Sequence, residues 1–342
     1  MKIIDFPQDR DLDIIVIGRA AIDMNPAQSD RFDEGCKPLK DVHYFEMFVG
    51  GSSANIALGL AKNNLSTGFL GTVSDDQLGD FVTAFLKDNG VDTSHISRCQ
   101  NNIALTFTEI LPDGFSNLIL FRKDPADLQF SLKDVDEDYI AKAKAILITG
   151  TALSAEPSRQ AVMKCLSYAL KHNTKVIFDI DYRPQNWKNE EDVEKYCSPV
   201  AKESDMIFGS REEFDLLEKN CGLNMSDEDS FVYWNSYKAK VCLFKHGHEG
   251  STAFCANGEK YKVRPFHVQA RKRSGGGDGY AAAFLYGMMM DWDFKDCLEA
   301  GSGQAAMMIA NNSCSTQIPT IKEVLCFIKE EKEIYGEAIF PL

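Results

Sequence analysis

Arg273-Ser-Gly-Gly-Gly-Asp-Gly-Tyr280 sets three glycines and a carboxylate directly before Ala281 to Met290, an apolar run that reads as a buried helix. Without Cβ atoms, Gly275, Gly276 and Gly277 can turn successive backbone N–H groups toward one point, and the start of the helix adds partial positive charge there. Such a point holds a phosphoryl group. Asp278, at its mouth, can take the proton of an attacking hydroxyl as charge develops on the transferred group. Far upstream, Val49-Gly50-Gly51-Ser52-Ser53-Ala54-Asn55-Ile56-Ala57 again leads from an extended stretch into a helical pattern. Taken alone, Gly275 to Gly277 read better as a flexible turn capping a helix, with Asp278 in its first turn. Two in one chain point to two ligands.

Elements that could position these loops alternate along the chain. Short β-branched or apolar runs occur at 13–18, 68–71, 145–149, 175–179, 205–209 and 241–245, with helical patterns between most of them, at 55–62, 77–89, 158–172 and 212–219. The expected fold is α/β: a doubly wound, mostly parallel sheet with helices on both faces. Two stretches break the rhythm. Residues 24–48 carry little helix signal, and residues 101–122 hold two strand-like runs around the turn Leu111-Pro-Asp-Gly114. They are expected to form a small β lid on a single domain spanning 1–342, able to close over a substrate and exclude water.

Bulk properties narrow the function. Ten cysteines without Cys-x-x-Cys or zinc-like spacing read as reduced core residues, which suits the cytoplasm. No apolar run approaches the ~20 residues of a membrane span, and the first twelve residues do not read as a secretory signal. A formal charge of −14 argues against nucleic acid or an anionic membrane as partner, while Arg271-Lys272-Arg273 is a local basic candidate for an anionic ligand. A dinucleotide fingerprint at Gly301-Ser-Gly303-Gln-Ala-Ala306 follows a helical rather than a strand-like segment, so it is set aside. The P-loop pattern is absent.

The pairing of Gly50-Gly51-x-x-x-Asn55-x-Ala57 with Gly275-x-Gly277-Asp278, in this order and over nearly the whole chain, resembles the ribokinase-like (PfkB) family of sugar kinases. Gly18-Arg19-Ala-Ala-Ile-Asp23, Phe178-Asp-Ile-Asp-Tyr-Arg-Pro184, Arg211-Glu-Glu-Phe214 and Lys245-His-Gly247 resemble its sugar-acid kinases more narrowly. The resemblance implies that Asp278 is the catalytic base, that Gly275, Gly276 and Gly277 form the anion hole, and that Asp23, Gly50, Gly51, Asn55 and Asp181 belong to the sugar pocket. A sugar acid also needs a cation for its carboxylate. Arg183 and Arg19 are preferred for that role over Arg122 and Lys123. The ATP site is expected along Ser210, Lys245, Gly247, Gly250 and Asn311, with Glu213 organising Mg²⁺. The resemblance also leaves room for a monovalent cation and implies a homodimer joined through the lid. Fructose and 2-dehydro-3-deoxygluconate stay open as acceptors, as does a protein that binds a sugar acid without turning it over.

Three departures from the family pattern stand out. Ser210 replaces the usual Asn, Lys272-Arg273 the usual Asp-Thr, and Gly276 the usual Ala. Asn64, where Gly often ends a helix, is tolerable because Asn enters the left-handed region more readily than most residues.

Overall fold

A computed structural model describes residues 2–27, 38–110, 116–221, 225–270, 274–311 and 313–342. The turn at 111–114 and the basic triplet at 271–273 lie outside the described residues. In chain order the strands are β1 (Leu12–Ile17), β2 (Ala21–Pro26), β3 (Phe45–Gly50), β4 (Thr67–Ser74), β5 (Ile96–Cys99), β6 (Leu105–Ile110), β7 (Ser116–Phe121), β8 (Ala143–Thr149), β9 (Lys175–Asp179), β10 (Met206–Ser210), β11 (Val241–Lys245), β12 (Ser251–Cys255), β13 (Lys260–Val263) and β14 (Ile339–Pro341). Among the described residues they form a ten-stranded sheet, ordered β14-β13-β12-β11-β10-β9-β8-β1-β4-β5, and a four-stranded sheet, β3-β2-β6-β7.

From β11 to β5 the large sheet is parallel, and β12 to β14 extend it antiparallel. Strand β1 shows why its sequence is apolar without alternation. Ile14 and Val16 pack into one core and Ile15 and Ile17 into the other, all fully buried. The first core contains apolar residues of the helices Ser52–Lys62, Gln77–Asp88, Gly276–Met289 and Phe294–Ala310; the second contains those of Ser158–Lys171, Glu191–Lys202, Arg211–Glu218 and Asp227–Asn235. Helices therefore cover both faces, as the alternation predicts. Because these strands are parallel, the C-terminal ends of β1, β8, β9, β10 and β11 lie on one edge, which is where open α/β sheets place their ligands.

The small sheet is wider than expected: its strands begin at Ala21 and reach Gly50, taking in Asp23 and the approach to the first glycine loop. Strands β2 and β3 are antiparallel, β2 and β6 parallel, and β6 and β7 antiparallel. In register, Asp23 faces Thr106 and Thr106 faces Leu120, so one face presents a carboxylate, hydroxyls and Leu120. Met24, Phe107 and Ile119 make the next row, on the opposite face. Gly301 and Gly303 lie inside the Phe294–Ala310 helix, where a Cβ would meet Tyr280 at 2.6 Å and Ile328 at 2.7 Å respectively. They serve helix packing, not a nucleotide turn. Asn64 has φ 64°, the left-handed conformation expected of it.

Candidate active site

Two helices on the same face of the large sheet run parallel in close contact. Asn55 Nδ2 donates to Asp278 Oδ2 at 2.8 Å, and four residues further along each helix a Cβ on Gly59 would stand 2.6 Å from the Ala282 Cβ. Gly59 thus permits the approach. It also aligns the N-termini of both helices with one cleft, where their partial positive charges favour an anion.

Both carboxylate oxygens of Asp278 are held, Oδ2 by Asn55 and Oδ1 by the Ser52 hydroxyl at 2.7 Å. A carboxylate can only accept, so the Asn55 amide nitrogen must face it. The Asn55 Oδ1 is then left buried with no partner among the described residues. Gly275 caps the second helix at φ 85°, a left-handed conformation that suits glycine. The first N–H groups after it have no acceptor within the helix. The Gly276 α-carbon instead faces the neighbouring helix, where a Cβ would come within 2.9 Å of Ile309 Cγ2. The exchange of the family's Ala for Gly at this position therefore has a packing counterpart.

Arg19 sits just beyond the end of β1. Its backbone N–H donates to Ser53 Oγ at 2.9 Å, and that hydroxyl also lies 2.9 Å from Thr149 Oγ1. The guanidinium is buried, with Nε unpartnered, and burial first, then repulsion from Arg122, holds its pKa below the ordinary value. Arg183 differs. It pairs with Asp181 Oδ1 at 2.9 Å, lies 3.9 Å from Glu213 and is half-exposed, and Asp181 above all raises its pKa against the effect of burial. Asp181 has φ 38° and accepts from Thr151 Oγ1 at 2.9 Å, a strained backbone held by its neighbours. Arg122 is fully engaged: it grips Asp127 at 2.9 and 2.6 Å and donates to Asn186 Oδ1 at 2.7 Å.

At the far end, Lys245 Nζ lies 3.3 Å from Asp179 Oδ1. Burial disfavours the ammonium, but Asp179, Glu213 and Asp278 more than offset this and raise its pKa. The Asp179 carboxyl is dominated by its own burial; Lys245 opposes the shift, Asp181, Glu213 and Asp278 add to it, and it is pushed up to about 7. Ser210 and Glu213 form a capping box at the start of the Arg211–Glu218 helix, and the Tyr182 N–H also donates to Glu213 at 2.7 Å. Beside them, His246 pairs with Asp227 at 2.8 Å. No group of three or more His, Cys, Asp or Glu among the described residues could hold a metal ion. Glu213, on the cleft wall, offers a hard carboxylate oxygen of the kind Mg²⁺ takes when nucleotide phosphates and water complete its shell.

One cleft of about 890 Å³ is lined by Arg19, Asp23, Gly51, Asn55, Asp181, Arg183, Ser210, Glu213, Lys245, Gly247, Gly275, Gly277 and Asp278. Gly50, Arg122, Gly250, Gly276 and Asn311 are not among its lining residues. Gly50 instead leaves room for the Asp23 carboxylate, which a Cβ would meet at 2.4 Å. Gly250, at φ 96°, lets the turn pass Val263 O, and Asn311 donates to Gln317 O at 2.9 Å. Ser52, Asp179 and Thr106 line the cleft but were not singled out from sequence. A carboxylate at the exit of a parallel strand is the signal that could have found Asp179.

The family model described as pfkB family carbohydrate kinase matches residues 11–321. A 5-dehydro-2-deoxygluconokinase of Clostridium perfringens is 47% identical over 341 residues, covering 99% of each chain. Among solved structures, a fructokinase of Xylella fastidiosa with bound ATP matches at TM-score 0.79 and 22% identity, covering 93% of this chain and 99% of its own. A 2-dehydro-3-deoxygluconokinase of Thermotoga maritima matches at TM-score 0.81 and 20% identity, with the same coverage.

Proposed function

The chain belongs to the pfkB family of carbohydrate kinases, and from that premise we propose that it transfers the γ-phosphoryl group of ATP to the terminal hydroxyl of 5-dehydro-2-deoxygluconate, a step of inositol catabolism. The observation that carries this reading is the shared cleft, with Asp278 gripped by Ser52 and Asn55 and the buried Arg19 on the same wall. Arg19, with Arg183 at the rim, receives the carboxylate of the acceptor. Asp23 and Asn55 contact its hydroxyls. The terminal hydroxyl oxygen bonds to the γ-phosphorus, and Asp278 takes its proton. The bond from that phosphorus to the β,γ-bridging oxygen breaks, and ADP leaves with the electron pair.

Gly275 and Gly277 supply N–H groups to the charge that develops on the phosphoryl oxygens. Glu213 would help hold Mg²⁺ carried by the nucleotide, and the ion would neutralise phosphate charge. The small sheet acts as a lid. Its exposed Met47, Ile119 and Phe121 suit a second copy of the chain, and sedimentation would detect the dimer. No helix of the described residues is long and apolar enough to cross a membrane. A coupled ADP-release assay over sugars and sugar acids tests the assignment. Turnover of 5-dehydro-2-deoxygluconate should far exceed that of 2-dehydro-3-deoxygluconate and of fructose, and comparable turnover of fructose would defeat it.

A further inference from the structure

Lys245 occupies a position that its ion pair alone does not explain. A Cβ on Gly277 would lie 3.4 Å from the Lys245 Nζ, so the ammonium rests against the first turn of the Gly276–Met289 helix. A cation at the positive end of a helix is unfavourable. Asp179 at 3.3 Å, with Glu213 and Asp278 further off, offsets the desolvation of the ammonium, but Asp179 is itself buried. A buried pair of this kind is weak evidence for a stabilising role. An anion placed between the helix N-terminus and the ammonium would satisfy both at once.

Geometry and chemistry identify that anion. Gly275, Gly277, Asp278 and Lys245 line one cleft. A phosphoryl group passing to a hydroxyl at Asp278 must cross the glycine turn, with charge spread over its equatorial oxygens. We propose that Lys245 is a catalytic residue whose ammonium contacts those oxygens in the transition state, and that Asp179 is the positioning residue that aims it. The assignment rests on the kinase reading above and assigns Lys245 a part in the chemical step, beyond nucleotide binding. Bond making and breaking are unchanged: phosphorus gains the acceptor oxygen, loses the bridging oxygen, and the acceptor proton goes to Asp278. Lys245 keeps its own protons throughout.

Lys245→Met is compared with wild type in steady-state ADP release, with nucleotide binding measured separately by fluorescence and folding by thermal melt. The expected result is a fall in kcat of roughly 10²- to 10³-fold, the scale for loss of one transition-state donor, with KM for ATP changed only a few-fold. Lys245→Arg should recover part of the rate. Lys245→Met combined with Asp179→Asn should recover none, because the missing charge is needed by the phosphoryl group and not by Asp179. An unchanged kcat with raised KM for ATP would make Lys245 a ground-state anchor and overturn the proposal, as would recovery in the double variant. A wild-type protein that releases no ADP with any acceptor sinks the kinase reading together with this assignment. Active wild type matched by active Lys245→Met sinks only the assignment.

Discussion

Arg19→Met should move activity and stability in opposite directions. Met fills much of the same volume without charge, so the perturbation removes a guanidinium that is buried, has an unpartnered Nε and is repelled by Arg122. A hydrogen bond to a charged group contributes about 1.5–3 kcal/mol, and each ~1.4 kcal/mol is tenfold. The loss of the acceptor's carboxylate contact should therefore lower kcat/KM for the sugar acid by ~10- to 150-fold. A neutral ketohexose has no carboxylate to lose, so its residual turnover should change little. The empty protein, relieved of a desolvated cation, should melt at or above the wild-type temperature. ADP release with both acceptors and a thermal melt without ligand read all three quantities. Equal loss with both acceptors, or a clearly lowered melting temperature, would show that Arg19 supports the fold and does not select the acid.

Further outcomes test other parts of the cleft. Asp278→Asn should retain ATP binding and the wild-type melt while kcat falls by about 10²- to 10⁴-fold, the scale of general-base catalysis; near-normal turnover would remove Asp278 from the role. Gly276→Ala should lower stability by roughly 1–3 kcal/mol through overpacking, because its Cβ meets Ile309 Cγ2 at 2.9 Å. Ile309→Leu, which lacks that methyl, should restore the melting temperature, whereas Ile309→Val, which keeps it, should not. For Asp179 the sign follows from a folded pKa raised to about 7, against ~3.9 for an unperturbed Asp. Its contribution to stability is full below the unfolded value and is lost as pH climbs toward 7. Melts from pH 4 to 7.5 should show Asp179→Asn gaining on wild type as pH rises, and parallel curves would refute the linkage.

The parts of this architecture written locally were readable from the chain. Ile14 to Ile17 announce a strand buried on both faces, and the two glycine loops announce helix N-termini near a ligand, because backbone freedom and hydrophobic patterning act over a few residues. Asn55 and Asp278 could be assigned to one site, but the hydrogen bond between them could not: it depends on Gly59 allowing two helices to touch. The choice among Arg19, Arg122 and Arg183 was likewise closed to sequence. It turns on Asp127 and Asn186 engaging Arg122 and on Asp181 engaging Arg183, contacts that only the tertiary fold creates. The antiparallel extension β12 to β14 escaped the pattern because β13 and β14 have only four and three residues and β13 interleaves its apolar residues with lysines. Lys245 could be placed near the nucleotide, yet its approach to Gly277 links the end of one strand to the start of a distant helix.

Two buried polar atoms on residues that line the cleft lack a partner among the described residues. Asn55 contributes a buried oxygen that lacks a donor and Arg19 a buried N–H that lacks an acceptor. A buried group without its partner costs about 1–3 kcal/mol, and nothing in the two cores requires these groups. The polarity of the two orphans is opposite. The oxygen beside Asp278 calls for a hydroxyl, while the guanidinium calls for an anion. A neutral sugar satisfies only the first, and a simple carboxylic acid only the second. A sugar acid, with a carboxylate at one end and neighbouring hydroxyls at the other, would satisfy both: one hydroxyl donates to Asn55 and the terminal one is left to face Asp278. On the proposed mechanism the same contacts would orient the acceptor for transfer and so tie selectivity for an acid to the chemical step.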